Sequence, residues 1–133
     1  MSAGGGLPLG ETLRRKSRGA RSYHAGRAAE EIAERYYTGR DQRVRERRWR
    51  GAAGEIDLIV EDGDGLIFVE VKASEDFAQA AAQVSARQIG RISAAAAEYL
   101  ERMPSGQATE VRFDVGLVDR RGRLEVLEAA FGI

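Results

Sequence analysis

Ile56-Asp57-Leu58-Ile59-Val60, then Glu61-Asp62-Gly63-Asp64-Gly65, then Leu66-Ile67-Phe68-Val69-Glu70-Val71-Lys72 is the stretch that decides the fold. Two runs of branched and aromatic side chains flank a short acidic, glycine-bearing link, which is the signature of a β-hairpin. Both runs are apolar enough to be buried on both faces, as in a sheet covered by helices on each side. Embedded charges are the exception. Strand residues two apart point to one face. Phe68, Glu70 and Lys72 therefore share a face, and on the preceding strand Glu55, Asp57 and Ile59 share one. A register that sets Asp57 near Glu70 gathers two carboxylates and an ammonium in a mostly apolar sheet. Buried charges are costly unless paired or bound to a metal, and two adjacent carboxylates repel unless a cation lies between them. Mg²⁺ held by one or two carboxylates, a backbone carbonyl and waters suits this arrangement. An ion pair of Lys72 with Asp57 or Glu70 at a sheet end is the other arrangement the residues allow.

Working outward, Ala25, Ala29, Ile32, Ala33 and Tyr36 recur at three- and four-residue spacing, which predicts a helix over residues 22–38. Gly39 stands where such a helix would end on a left-handed residue. Residues 42–50 read as a polar, Arg-rich strand near a sheet edge, carrying Val44 and Trp49, and residues 51–54 as a turn. After the hairpin, residues 77–83 form a short helical piece. Ser85-Ala86-Arg87-Gln88 reads as a capping box, with Ser85 as N-cap and Gln88 as its partner. The helix it opens puts Ile89, Ile92, Ala96, Tyr99, Leu100 and Met103 on one face, and Pro104 and Gly106 mark its end. Val111, Phe113, Val115 and Leu117 alternate as a strand. Arg120-Arg121-Gly122-Arg123 turns the chain into a last strand at residues 124–127. The order α-β-β-β-α-β-β describes a central mixed sheet flanked by helices, of α/β (α+β) class. Residues 1–21 read as a flexible basic arm, and residues 22–133 as a single domain.

Composition narrows the chemistry. With 133 residues, 43% hydrophobic and 32% charged, the chain can build a core and is too apolar to be wholly disordered. It has no cysteine and one histidine, His24. Disulfides, thiolate catalysis, Cys-based metal centres and multi-His sites are thereby excluded, and any metal would have mostly oxygen ligands. No apolar run has the length of a membrane span, and residues 1–24 hold no secretory apolar core. The expectation is a cytoplasmic protein without a membrane partner. Residues 1–50 hold 13 basic and 6 acidic side chains, residues 51–133 hold 8 and 15. A basic half beside an acidic half suits a protein that holds a polyanion near an acidic metal site. Of 21 basic residues only Lys16 and Lys72 are lysines. In a chain that otherwise writes arginine, a lysine in an apolar strand suggests a need for a compact ammonium.

The motif Gly54-Glu55-Ile56-Asp57-Leu58-Ile59 with Phe68-Val69-Glu70-Val71-Lys72 resembles the YraN family of bacterial predicted endonucleases. That family belongs to the PD-(D/E)XK nuclease superfamily, related to archaeal Holliday-junction resolvases. The similarity extends to Gly26-Arg27-Ala28-Ala29-Glu30 with Ala33, to Ser85-Ala86-Arg87-Gln88 through Tyr99-Leu100, and to Arg112-Phe113-Asp114-Val115 and Ala130-Phe131. It departs at Arg48, where Asn is frequent, at Ser74, where Arg is common, and at Ala29 and Ala78, where Gly often stands.

The resemblance implies a restriction-endonuclease-like core and a Mg²⁺- or Mn²⁺-dependent endonuclease acting on DNA, selective for branched or single-stranded forms. It implies that Asp57 and Glu70 bind the metal, with the Val71 carbonyl as third ligand. Lys72 would orient or deprotonate the attacking water or stabilise charge developing on phosphorus, and Glu30 would complete the acidic cluster. The charge split assigns nucleic-acid contacts to Arg14, Arg15, Lys16 and Arg18 in the arm, and to Arg48 and Arg50 in the Arg-rich strand. A homodimer is compatible with this reading. The alternative is an accessory nucleic-acid-binding protein that keeps the fold without cleavage. Blander roles are expected for Glu55 at a strand start, Asp114 as a paired structural carboxylate, Trp49 in packing, and His24.

Overall fold

The computed structural model describes residues 26–132. The arm with Arg14, Arg15, Lys16 and Arg18, and His24 after it, lies outside the described residues.

Five strands form one sheet: β1 (Arg43–Arg50), β2 (Glu55–Asp62), β3 (Gly65–Ala73), β4 (Val111–Val118) and β5 (Leu124–Phe131). They lie in sequence order, all neighbours antiparallel except β3 and β4, so the sheet is mixed. Helix α1 covers residues 26–38, and α2 (Phe77–Ala82) and α3 (Ala86–Leu100) follow β3 as its crossover to β4. The α+β class and strand order are those expected, and β1 is an edge strand.

Each helix covers a face that the alternation of the strands prepares. On one side Ala33 and Tyr37 of α1 pack on Leu58, Val60, Ile67 and Val69. On the other, Ile92, Ala95, Ala96, Tyr99 and Leu100 of α3 pack on Ile59, Phe68 and Phe113. The two central strands are therefore buried on both faces, at about 25 cal/mol for each Å² of apolar surface removed from water. Ser85 caps α3 by accepting the Gln88 backbone N–H at 3.1 Å.

The hairpin between β2 and β3 closes at Asp62↔Gly65 with Gly63 at φ +60°, a conformation that favours glycine. The end of α1 differs from expectation. The left-handed residue is Asp41 (φ +62°), not Gly39. The Gln42 N–H donates to the Tyr37 carbonyl and the Asp41 N–H to the Thr38 carbonyl, so the chain leaves the helix in a Schellman motif whose left-handed residue stands two positions beyond Gly39. Gly39 serves a different need: a Cβ there would come to 3.0 Å from the Arg35 carbonyl oxygen.

Candidate functional site

Beyond Leu58↔Val69 the pairing of β2 with β3 stops. In the gap Asp57 turns its carboxyl toward β3, where Oδ2 accepts the Val71 N–H at 2.8 Å. The even alternation expected for Glu55, Asp57 and Ile59 fails here, because Ile56 and Trp49 pack with Ile59 in the cluster under α3. The neighbouring edge strand is irregular at the same level. Arg48 lies between two residues of β1 that pair with the residues flanking Asp57, and its backbone sits at φ +52°. A non-glycine residue in that region is strained by roughly 1–2 kcal/mol.

Glu70 is 6% exposed. Its Oε2 accepts from Gln88 Nε2 at 2.6 Å and lies 3.2 Å from Lys72 Nζ. The Gln88 side chain does not turn back on Ser85 as a capping box would have it; its amide instead ties α3 to the carboxylate of β3. Asp57 and Glu70 line the same cavity. Burial, then the charge of Glu70, push the Asp57 carboxyl up to about 8, against the pull of the Val71 N–H, and Glu30 adds to the rise. Burial pushes Glu70 up as well, opposed by Lys72. Both carboxyls are therefore easier to protonate than separate surface carboxylates.

These groups open into a cleft of about 600 Å³. Its walls include Glu30 of α1, the turn 51–54, Arg50 and Glu55 from β1 and β2, and Gln88 and Arg91 of α3. Asp57, Glu70, Val71, Lys72 and Glu30 are thereby brought to one cavity. Glu30 is held there by Arg48, whose Nε donates to Oε1 at 2.7 Å. Arg50 is exposed at the mouth and pairs with Glu55 at 3.2 Å. Among the described residues no group of three His, Cys, Asp or Glu side chains is placed to hold a metal. The donor set that exists, the buried Glu70 carboxyl and the half-buried Asp57 carboxyl beside a cleft, fits a hard cation that keeps several waters. Val71 turns its N–H toward β2 where the ladder has ended. Its carbonyl shares that side, since both groups of one strand residue point the same way.

Other residues have structural roles. Asp114 is fully buried and accepts from Arg112 Nε and Nη2, the Tyr37 hydroxyl and the Ala129 N–H. Trp49 is 8% exposed and packs edge-on against Tyr99. The contributions of Gln88 and Arg91 have no distinct signal in the sequence. One reads as a capping residue and the other as a solvated helix charge.

The family model described as "Uncharacterised protein family UPF0102" matches residues 29–118. A UPF0102 protein of Ruegeria pomeroyi is 56% identical over 116 residues, covering 87% of this chain and 94% of that protein. One from Cereibacter sphaeroides is 56% identical over 110 residues, covering 83% and 94%, and one from Roseobacter denitrificans 41% over 120 residues, covering 90% and 93%. Among the described residues no helix is long and apolar enough to cross a membrane. On these matches the chain belongs to the UPF0102 family, the YraN family that its hairpin motif resembles.

Proposed function

We propose that this protein is a nuclease that hydrolyses phosphodiester bonds in DNA with the help of Mg²⁺ or Mn²⁺ at Asp57 and Glu70. The observation that carries the reading is the convergence of the Asp57 and Glu70 carboxyls on one cleft, flanked by the Lys72 ammonium. A bound divalent ion would neutralise an anionic phosphodiester and make a water nucleophilic at neutral pH. The chain's own residues prepare that chemistry. The Val71 N–H holds Asp57 by one oxygen, while Gln88 and Lys72 both hold Glu70 by Oε2, which leaves the second oxygen of each carboxylate for a ligand. Lys72 keeps a proton donor beside the place where charge would develop, a role worth several kcal/mol when the donor is preorganised. Glu30, drawn aside by Arg48, remains on the wall as an acceptor for an incoming water.

A second reading, a nucleic-acid-binding protein without cleavage, draws on the same ion pair. With Glu30 engaged by Arg48, the acidic group at the base is two carboxyls and not three. Plasmid nicking in Mn²⁺ or Mg²⁺, against an EDTA control and Asp57→Ala, decides between them. Metal-dependent nicking that disappears in Asp57→Ala supports the nuclease. DNA binding with no nicking under either metal supports the second reading.

A further inference from the structure

Three cations in or beside the cleft already have a carboxylate: Arg48 has Glu30 at 2.7 Å, Arg50 has Glu55 at 3.2 Å, and Lys72 has Glu70 at 3.2 Å. Arg91 is different. It lines the same cleft from the exposed side of α3, and no carboxylate among the described residues lies within ion-pair distance of it. A guanidinium that is not neutralised by its own protein is what an incoming phosphate needs when the base of the cleft is acidic.

The scaffold under Arg91 is rigid. Gln88, Arg91, Ala95 and Glu98 recur at spacings of three and four and form one stripe of the helix. Gln88 at one end is bonded to Glu70. Ala95 in the middle is fully buried. At the other end the two Glu98 oxygens accept the N–H groups of Ala52 and Ala53 at 3.1 and 3.2 Å. That clamp fastens the turn 51–54 to α3, and it leaves no room at Gly51, where a Cβ would come within 2.5 Å of Glu98 Oε1. Arg91 stands beside this turn, its Cβ 3.9 Å from where a Cβ on Gly54 would lie. The clamp also occupies these two N–H donors of the turn, so the rim offers an anion the Arg91 side chain in their place.

We infer that Arg91 is the phosphate-contacting residue of this cleft, gripping the sugar–phosphate backbone of a nucleic-acid strand against α3 while the strand crosses the Asp57–Glu70 pair. The inference rests on the nucleic-acid reading above and adds the residue that holds the substrate. Arginine suits the task, because its planar fork meets phosphate oxygens two at a time.

The test uses the full chain, in EDTA, and reads fluorescence anisotropy of a labelled single strand and its duplex across a KCl series. Removing one phosphate contact lowers the log–log salt slope by about 0.9 on duplex and about 0.7 on single strand, and weakens binding by about tenfold at 0.1 M salt. Arg91→Ala is expected to show both effects, and Arg91→Lys to keep the slope with part of the affinity. Arg43→Ala, which removes another exposed charge at the far end of β1, is expected to leave the slope unchanged. Thermal melts of all three verify the fold. If the wild type binds DNA and Arg91→Ala keeps its slope, or falls no further than Arg43→Ala, the assignment fails while the nucleic-acid reading stands. If the wild type does not bind DNA at all, both fail.

Discussion

Asp57 is central to the proposed site, and its surroundings have a consequence for stability. Its carboxyl is raised in the folded protein to about 8 from an ordinary 3.8. Over that interval the folded protein binds a proton that the unfolded chain has released. Stability from this group is therefore fullest below about pH 4 and declines as pH rises toward about 8. Melting temperatures of the metal-free protein from pH 4 to 9 are expected to show this fall, superposed on the other carboxylates, and Asp57→Asn is expected to flatten it. A matching slope in the variant would place the titration elsewhere. Because a cation and the proton compete for the same two carboxyls, Mn²⁺ should raise the melting temperature more at pH 8.5 than at pH 6. Lys72 gives the next prediction at this scale. Its Nζ lies beside Glu70, where a guanidinium would be larger and always protonated. Lys72→Arg and Lys72→Ala are both expected to bind Mn²⁺ and DNA and to cleave more slowly by roughly 10²-fold or more. A fully active Lys72→Arg protein would return the lysine to the role of ion-pair partner.

At the scale of elements, what was legible depended on whether a residue's neighbours in sequence are also its neighbours in space. The hairpin could be read because its alternation, its glycine turn and its pairing are all local. β5 runs to Phe131, beyond the expected Leu127, because Asp114 of β4 holds the Ala129 N–H across an irregular register, with Ala129 at φ +51°. Nothing in Glu128-Ala129-Ala130 announces that bond. The alternation expected from Glu55 to Ile59 breaks for a related reason: it assumes a regular ladder, the pairing with β3 stops at Leu58, and Ile56 joins Ile59 in one cluster. Arg48 belongs to the same irregularity. Its left-handed backbone explains why an Asn is compatible with this position, since Asn tolerates that conformation and most side chains do not. Arg48→Asn and Arg48→Ala both delete the ion pair with Glu30, so only the backbone distinguishes them. Urea melts are expected to find Arg48→Asn the more stable by about 1 kcal/mol. Equal stabilities would show that the strand relaxes out of its left-handed turn once the guanidinium is gone.

For the whole molecule, charge read along the sequence and charge arranged in space are different quantities. The basic first half suggested a basic face, yet the arginines of β1 are largely answered by acids from other elements: Arg45 by Glu61, Arg47 by Glu34, Arg48 by Glu30 and Arg50 by Glu55. The acidic motif was visible because charges stand out in apolar strands. Arg91 was not, because an exposed arginine on a polar helix face looks like any other. Outside β1, residues 1–21 carry a large share of the basic side chains: Arg14, Arg15, Lys16, Arg18 and Arg21 against Glu11 alone. Deleting residues 1–21 removes five basic side chains and one acidic, which takes the net charge from zero to −4. A chain so charged is repelled by a polyanion at long range, and the repulsion is itself screened by salt. The truncated protein is therefore expected to bind DNA more weakly at low salt. Its log–log salt slope should fall by more than in Arg91→Ala, at about 0.9 for each duplex phosphate no longer neutralised. Each phosphate contact releases its own counterions, so combining the deletion with Arg91→Ala should lower the slope by the sum of the separate effects. Anisotropy titrations of the four proteins over one KCl series measure this. A deletion that leaves the slope at the wild-type value would remove the arm from the interface and leave the cleft to bind DNA with Arg91 and its neighbours alone.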